Sequence, residues 1–470
     1  MRHNPRIQEE AGMDATTYSA RRKALRKSVP EGAILIMGND EAPKNYVDNP
    51  YPFRQDSHFL YYAGVSQAGQ ALLIEPDGRE VLYGTPDHPD DVIWFGPHPT
   101  LGDHAATAGI ADSVGIGELG DRLAGLREGG ADIHYLPPYR GDRSFTLGDL
   151  LSIDPREVAG GISAELVAEV VAQRSIKEDA EIAEMEDALG VTAKMYRATM
   201  RSAEPGRTEA EIAAIHRAAA AASDRQQAFT PIVTVCGDVL HNHSYENTLE
   251  EGDLLLVDSG AESPGFYASD ITRTMPVTGK FTSQQRDIYE IVLAANQAAI
   301  DAAAPGVTNR ELHLLAARTI TEGLKDVGVM KGNIDRAVEA GAHALFFVHG
   351  LGHMIGLDVH DMEDLGDIVG YDEGEKRSDQ FGLAYLRLAR KLEPGFVITI
   401  EPGIYFIAAL VERWQGEGKC KGYIRYDKLD DYCGLGGVRI EDDVLITADG
   451  HRVLGPPIPK TVDEIEAAMA

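Results

Sequence analysis

Leu249-Glu250-Glu251-Gly252-Asp253-Leu254-Leu255-Leu256-Val257-Asp258 and Leu392-Glu393-Pro394-Gly395-Phe396-Val397-Ile398-Thr399-Ile400-Glu401 are two versions of one phrase. Each has a Leu-Glu turn closed by glycine, then an apolar run, then a carboxylate six residues after the glycine. Short apolar runs bounded by turn residues read as buried strands. A second repeat lies upstream of each. Pro205-Gly206-Arg207-Thr208-Glu209-Ala210-Glu211 and Pro305-Gly306-Val307-Thr308-Asn309-Arg310-Glu311 are glycine turns followed by Thr-x-x-Glu capping boxes that open amphipathic helices. Capping boxes alone are common. The strands that deliver carboxylates carry more weight, and they predict an α+β domain with pseudo-twofold halves and a site at their joint.

Upstream, Asp179–Arg201 carries Ile182, Met185, Leu189 and Tyr196 at helical spacing, and Ala164–Gln173 is an Ala/Val-rich helix. Earlier still, Tyr18–Ser28 reads as a basic helix. Ala33–Met37, Ala71–Glu75, Glu80–Gly84 and Ile133–Leu136 read as buried strands, making a first α/β unit. The expected division is 1–170 and 171–470, within the two or three domains that 470 residues suggest.

The chain has 44 Lys plus Arg against 75 Asp plus Glu, a net charge of −31. Such a surface repels phosphate backbones and anionic headgroups, so neither nucleic acid nor membrane is an expected partner. Three cysteines, Cys236, Cys420 and Cys433, are too few for a disulfide framework and point to a reducing compartment. Met1–Tyr18 is polar, without the apolar run of a signal peptide, and a cytoplasmic protein is expected.

Five residues sit in unusual contexts: Asp258, Asp270 in Ser269-Asp270-Ile271-Thr272, His353 in His349-Gly350-Leu351-Gly352-His353, Glu401, and Glu441 in Arg439-Ile440-Glu441-Asp442. Each of the four carboxylates ends or interrupts an apolar strand. There an ionised group needs a salt bridge, hydrogen bonds or a metal. Singly, each reads as a strand-end carboxylate facing water. Gathered at one point, the four are neutralised by two divalent cations, and ligation by oxygens with one imidazole favours manganese, with cobalt or zinc as alternatives. The glycines in His349–His353 argue against a helical zinc motif. His241, His343 and His360 lie close in sequence to these residues, and neutral imidazoles at His349 and His360 could bond a substrate carbonyl or oxyanion. Arg439 could hold one of the carboxylates in place.

In order, these contexts closely resemble the aminopeptidase P and prolidase family of pita-bread metallopeptidases, from about Tyr18 to Met469. The resemblance includes Pro52-Phe53-Arg54-Gln55-Asp56-Ser57 and Ile93-Trp94-Phe95-Gly96 in the first domain, then Leu240-His241, Thr399–Tyr405 and Gly437–Asp443. It implies a creatinase-like α/β N-terminal domain before a pita-bread catalytic domain. It also implies Asp258, Asp270, His353, Glu401 and Glu441 as ligands of a dinuclear centre, with His241, His349 and His360 on the substrate side and Glu401 also moving a proton. Asp270 follows Asp258 by twelve residues, one more than the resemblance implies, which places an added residue around Glu262–Gly265. Arg387, in Gly382-Leu383-Ala384-Tyr385-Leu386-Arg387, falls where prolidases carry an arginine for the dipeptide carboxylate. Trp94 could reach a neighbouring site in a homo-oligomer, a dimer or tetramer. Both are therefore substrate-binding candidates.

The resemblance implies proline-containing peptides as substrates. The preferred reading is an Xaa-Pro aminopeptidase that removes the residue before proline, with Xaa-Pro dipeptidase as the alternative. More remote are a creatinase-type hydrolase and a non-catalytic pita-bread binding protein.

Overall fold

The computed structural model describes residues 13–470, so most of the polar N-terminal stretch lies outside the described residues. The chain forms two compact units. Met1–Arg174 with Met362–Gly366 makes the first, and Ser175–Asp361 with Asp367–Ala470 the second.

The first unit is built on a mixed sheet of β1 (Ala33–Met37), β2 (Ala71–Ile74), β3 (Glu80–Gly84), β4 (Asp112–Gly115) and β5 (Ile133–Tyr135), in the order β4-β3-β2-β1-β5. The four apolar strands lie where the sequence predicts them. The helix Ala15–Ser28 packs Tyr18 and Leu25 inward. β4 carries no apolar run: it is an edge strand of half-exposed residues, paired in parallel with β3. The Gln55-Asp56 part of the Pro52–Ser57 motif is structural. Asp56 accepts from Phe59 N at 2.9 Å and caps the helix Ser57–Ala63, while Gln55 Oε1 accepts from Asn39 N at 2.6 Å.

The second unit holds β6 (Ile232–Thr234), β7 (Leu254–Ser259), β8 (Ile271–Pro276), β9 (Val397–Ile400), β10 (Gly403–Tyr405), β11 (Gly437–Arg439), β12 (Asp442–Ile446) and β13 (His451–Val453). They form sheets β6-β7-β8, β13-β12-β9 and β10-β11. The two sequence repeats pair with each other, half by half. In the first half Gly206 N donates to Leu249 O at 2.8 Å, Leu249 N to Arg207 O at 2.7 Å and Glu209 N to Asn247 O at 2.9 Å. In the second, Gly306 N donates to Leu392 O at 2.9 Å, Leu392 N to Val307 O at 2.8 Å and Asn309 N to Arg390 O at 3.0 Å. Thr208 and Thr308 both complete capping boxes, opening the helices Glu209–Ala221 and Asn309–Asp326. Each repeat therefore clamps the start of a helix to the start of a carboxylate-bearing strand.

The first helical residue of each helix is buried and anchors a loop. Glu209 accepts from Val235 N at 2.8 Å and Asn247 N at 3.1 Å, tying both ends of the loop that carries His241. Asn309 Nδ2 donates to Leu388 O at 2.9 Å, beside Arg387. Between Asp258 and Asp270 the chain turns at Ser263–Tyr267, where Ser263 N donates to Tyr267 O at 2.9 Å and Phe266 adopts φ 67°. The β7–β8 register stays intact, with Asp258 opposite Thr272.

Candidate metal centre

Asp258 sits one residue before the end of β7, Asp270 just before β8, Glu401 just after β9, and Glu441 between β11 and β12. Strand ends from both halves thus aim carboxylates at one point. Asp270, His353 and Glu441 have ligand atoms within 4.8 Å of one another, all buried. His353 Nε2 lies 3.5 Å from Asp270 Oδ2 and 3.6 Å from Glu401 Oε1. The His353 segment is not helical, as its glycines require: Gly352 packs so closely on the Thr399 carbonyl that a Cβ would sit 1.9 Å from the oxygen. His353 Nδ1 donates to Met354 O at 2.9 Å, which fixes the tautomer and leaves Nε2 as the acceptor facing the carboxylates.

Arg439 is the cation buried among these groups. Its guanidinium donates to Asp258 Oδ2 at 2.6 Å, to the Tyr405 hydroxyl at 2.8 Å and to Thr272 Oγ1 at 3.1 Å. Thr272 in turn donates to Glu441 Oε2 at 2.6 Å. One guanidinium against four carboxylates leaves the cluster strongly anionic. Burial, then the neighbouring Glu441 and Asp258, push Asp270 well above the carboxylate range, and burial with Glu401 and Asp258 does the same to Glu441. Burial raises Glu401 to about 8, although Arg439 opposes it. Asp270 Oδ1 is buried without a hydrogen-bond partner. An orphaned oxygen, mutually repelling carboxylates and an oriented imidazole are what divalent cations satisfy, so the residues present fit a metal centre of hard to borderline type.

All five predicted ligands line one cavity of about 870 Å3, together with His241, His349, His360, Arg387 and Arg439. Trp94 is not among its lining residues; it lies in the short helix Asp91–Phe95 of the first unit and is 78% exposed. His343 is fully buried and also does not line the cavity. His349 also lines the cavity. Nδ1 lies 2.7 Å from Gly350 O and Nε2 2.9 Å from the Tyr405 hydroxyl, so both nitrogens are engaged. Burial, then Arg439, lowers its pKa to about 3, which keeps it neutral. His360 stacks edge-on against His353, with ring centroids 4.3 Å apart.

Sequence reading passed over Tyr405, which joins Arg439 to His349, and Thr272, which joins Arg439 to Glu441. Both fall in stretches that carry the resemblance, but spacing gives neither of them a role. It also passed over Phe381, Tyr385 and Arg413, which line the side of the cavity contributed by loop and helix.

The chain matches the family model of metallopeptidase family M24 over residues 183–448 and that of the aminopeptidase P N-terminal domain over 18–134. It is 33% identical to the human Xaa-Pro dipeptidase over 467 residues, covering 95% of this chain and 91% of that protein. It is equally 33% identical to a probable Xaa-Pro aminopeptidase of Aspergillus clavatus, over 90% of each chain. Among solved structures it resembles a Pseudomonas aeruginosa aminopeptidase, with a TM-score of 0.79, 31% identity and 98% of each chain covered.

Proposed function

The chain belongs to metallopeptidase family M24, with an aminopeptidase P N-terminal domain, and from that premise we propose that it is an Xaa-Pro aminopeptidase that releases the residue before proline from peptides. The observation that carries the choice is the cavity. It has about 870 Å3 and is lined by Phe381, Tyr385 and Arg413 as well as by the acidic cluster. That is the upper part of the roughly 300–1,000 Å3 range of sites for drug-sized ligands, more room than a dipeptide occupies. A second reading, Xaa-Pro dipeptidase, is favoured by Arg387, which lines the same cavity and whose charge acts on Glu401, His349 and His241.

Asp258, Asp270, His353, Glu401 and Glu441 are the proposed ligands of two divalent ions, with manganese favoured by four carboxylates and one imidazole. Bound there, such ions polarise the scissile carbonyl and lower the pKa of water to about 7. Glu401 takes the proton released by the attacking water on a carboxylate oxygen and delivers it to the prolyl nitrogen, which then leaves as a neutral secondary amine. His360, beside His353, faces the carbonyl. Tyr405 and Arg439 hold His349 and Asp258 in place, and Asp258 lies where a substrate amine would be neutralised. His241, which lines the cavity, is a further histidine proposed for the substrate side.

The deciding experiment is turnover of Ala-Pro and Ala-Pro-Ala by the manganese-loaded protein. Cleavage of both supports the aminopeptidase. Cleavage of the dipeptide alone selects the dipeptidase, and cleavage of neither overturns the Xaa-Pro reading.

A further inference from the structure

The helix Ala408–Glu417 buries Val411 and Trp414, one turn apart, and turns Ala409, Leu410 and Arg413 to the cavity. Residues three and four apart share a helix face, so burying Val411 and Trp414 fixes where Arg413 points. Its guanidinium stands 5.9 Å from the centre of the Phe381 ring. Phe381 is itself braced edge-on by Trp414 at 5.7 Å and Tyr385 at 5.8 Å, and Lys419 stands 5.4 Å from the same ring. Aromatic faces hold cations without neutralising them. Among the described residues Arg413 makes no ion pair, although Glu417 follows one turn later and the chain as a whole carries a net charge of −31. An exposed arginine beside an aromatic ring, on the lining of the cavity, presents a planar donor fork suited to carboxylate.

We propose that Arg413 is a specificity-determining residue that receives the C-terminal carboxylate of peptides extending beyond proline. The idea rests on the Xaa-Pro reading of the cavity and deepens it, separating two cations by the substrate length that each serves. Arg387 lines the same cavity as the acidic cluster and suits the carboxylate of a dipeptide. Each further residue moves the terminal carboxylate by up to about 3.5 Å, and Phe381 and Arg413 line the same cavity. The cavity therefore offers tri- and tetrapeptides an anionic subsite that a dipeptide does not use.

The test is a substrate ladder of Ala-Pro, Ala-Pro-Ala and Ala-Pro-Ala-Ala, each as free acid and as C-terminal amide, on the manganese-loaded parent, Arg413→Ala and Arg413→Lys. The parent should prefer the acid of the tri- or tetrapeptide by about tenfold in kcat/KM, the size of one charge-assisted hydrogen bond. In Arg413→Ala that preference should vanish through a rise in KM, and Arg413→Lys should restore part of it. Inhibition by the product Pro-Ala should weaken relative to Pro-Ala amide in Arg413→Ala, which reads binding without turnover. A parent that cleaves acids and amides equally at every length overturns the proposal, as does a preference that survives in Arg413→Ala. Such results mark Arg413 as a solvated helix cation and leave the Xaa-Pro activity standing. A parent that cleaves no member of the ladder removes that reading and the subsite with it.

Discussion

Asp258 and Glu401 occupy equivalent places in the two halves, each six residues after the glycine of its repeat, yet their surroundings differ. Asp258 accepts the Arg439 guanidinium at 2.6 Å. Among the described residues Glu401 receives no arginine hydrogen bond; its nearest partners are Thr399 Oγ1 at 3.5 Å, His353 at 3.6 Å and His349 at 3.9 Å, and its pKa rises to about 8. Duplicated backbone thus supplied two carboxylates, of which Asp258 is the one that Arg439 hydrogen-bonds. Asp258 is tied to the guanidinium, while burial raises the proton affinity of Glu401.

The largest expected effect tests this division directly. Glu401→Gln should lower kcat on Ala-Pro-Ala by about 10²- to 10⁴-fold. Equal losses in Asp258→Asn, with metal content by elemental analysis reduced to the same degree, would mean that the two carboxylates do one job. Next, Arg439→Met removes the cation that hydrogen-bonds Asp258. Breaking a buried charge pair costs about 3–5 kcal/mol, so the metal-free variant should unfold well below the parent, read by denaturant titration. Manganese should recover part of the loss, because it supplies the missing positive charge.

Stability against pH sharpens the comparison further. A carboxylate whose pKa is higher folded than unfolded stabilises the fold at low pH, and that contribution is lost as pH rises, for Glu401 between 4.5 and about 8. Asp270 and Glu441 act in the same direction. The buried His313 and His343 act oppositely. Their values fall from 6.5 to about 3 and about 4, so the stability they lend is complete above 6.5 and drains as pH falls below it. The Tm of metal-free protein should therefore drop on both sides of slightly acid pH. Manganese should raise Tm most on the alkaline side, and Glu401→Gln should flatten that side alone. The smallest effect concerns the loop anchors. Glu209→Ala should cost about 1–3 kcal/mol, and Asn309→Ala about 1 kcal/mol, since the amide makes a single side-chain bond there. Their KM changes should differ by substrate length, because only Asn309 braces the Arg387 segment.

Much of this arrangement was legible in the chain. The capping boxes at Thr208 and Thr308 and the strands leading to Asp258 and Glu401 depend on local spacing, which sequence carries directly. β4 was not legible, because an edge strand of Asp112, Ser113, Val114 and Gly115 has no buried face to impose alternation. Tyr405 and Thr272 were missed for another reason. Each matters through hydrogen bonds to residues far away in the chain, and no periodicity records such partners. The hydrogen bonds of His349 were hidden on the same ground: a histidine in a suggestive motif does not announce that Tyr405 and Gly350 lie beside its nitrogens.

The amino-acid order alone determined the duplicated halves, the family and which side chains could gather at the joint, because repeats, caps and apolar runs are short-range properties. Only the tertiary structure decided how those side chains divide their work. Proton affinity and donor geometry are set by whatever charge and burial surround a group, and for Asp258, Glu401 and Arg413 those surroundings come from elements scattered along the chain.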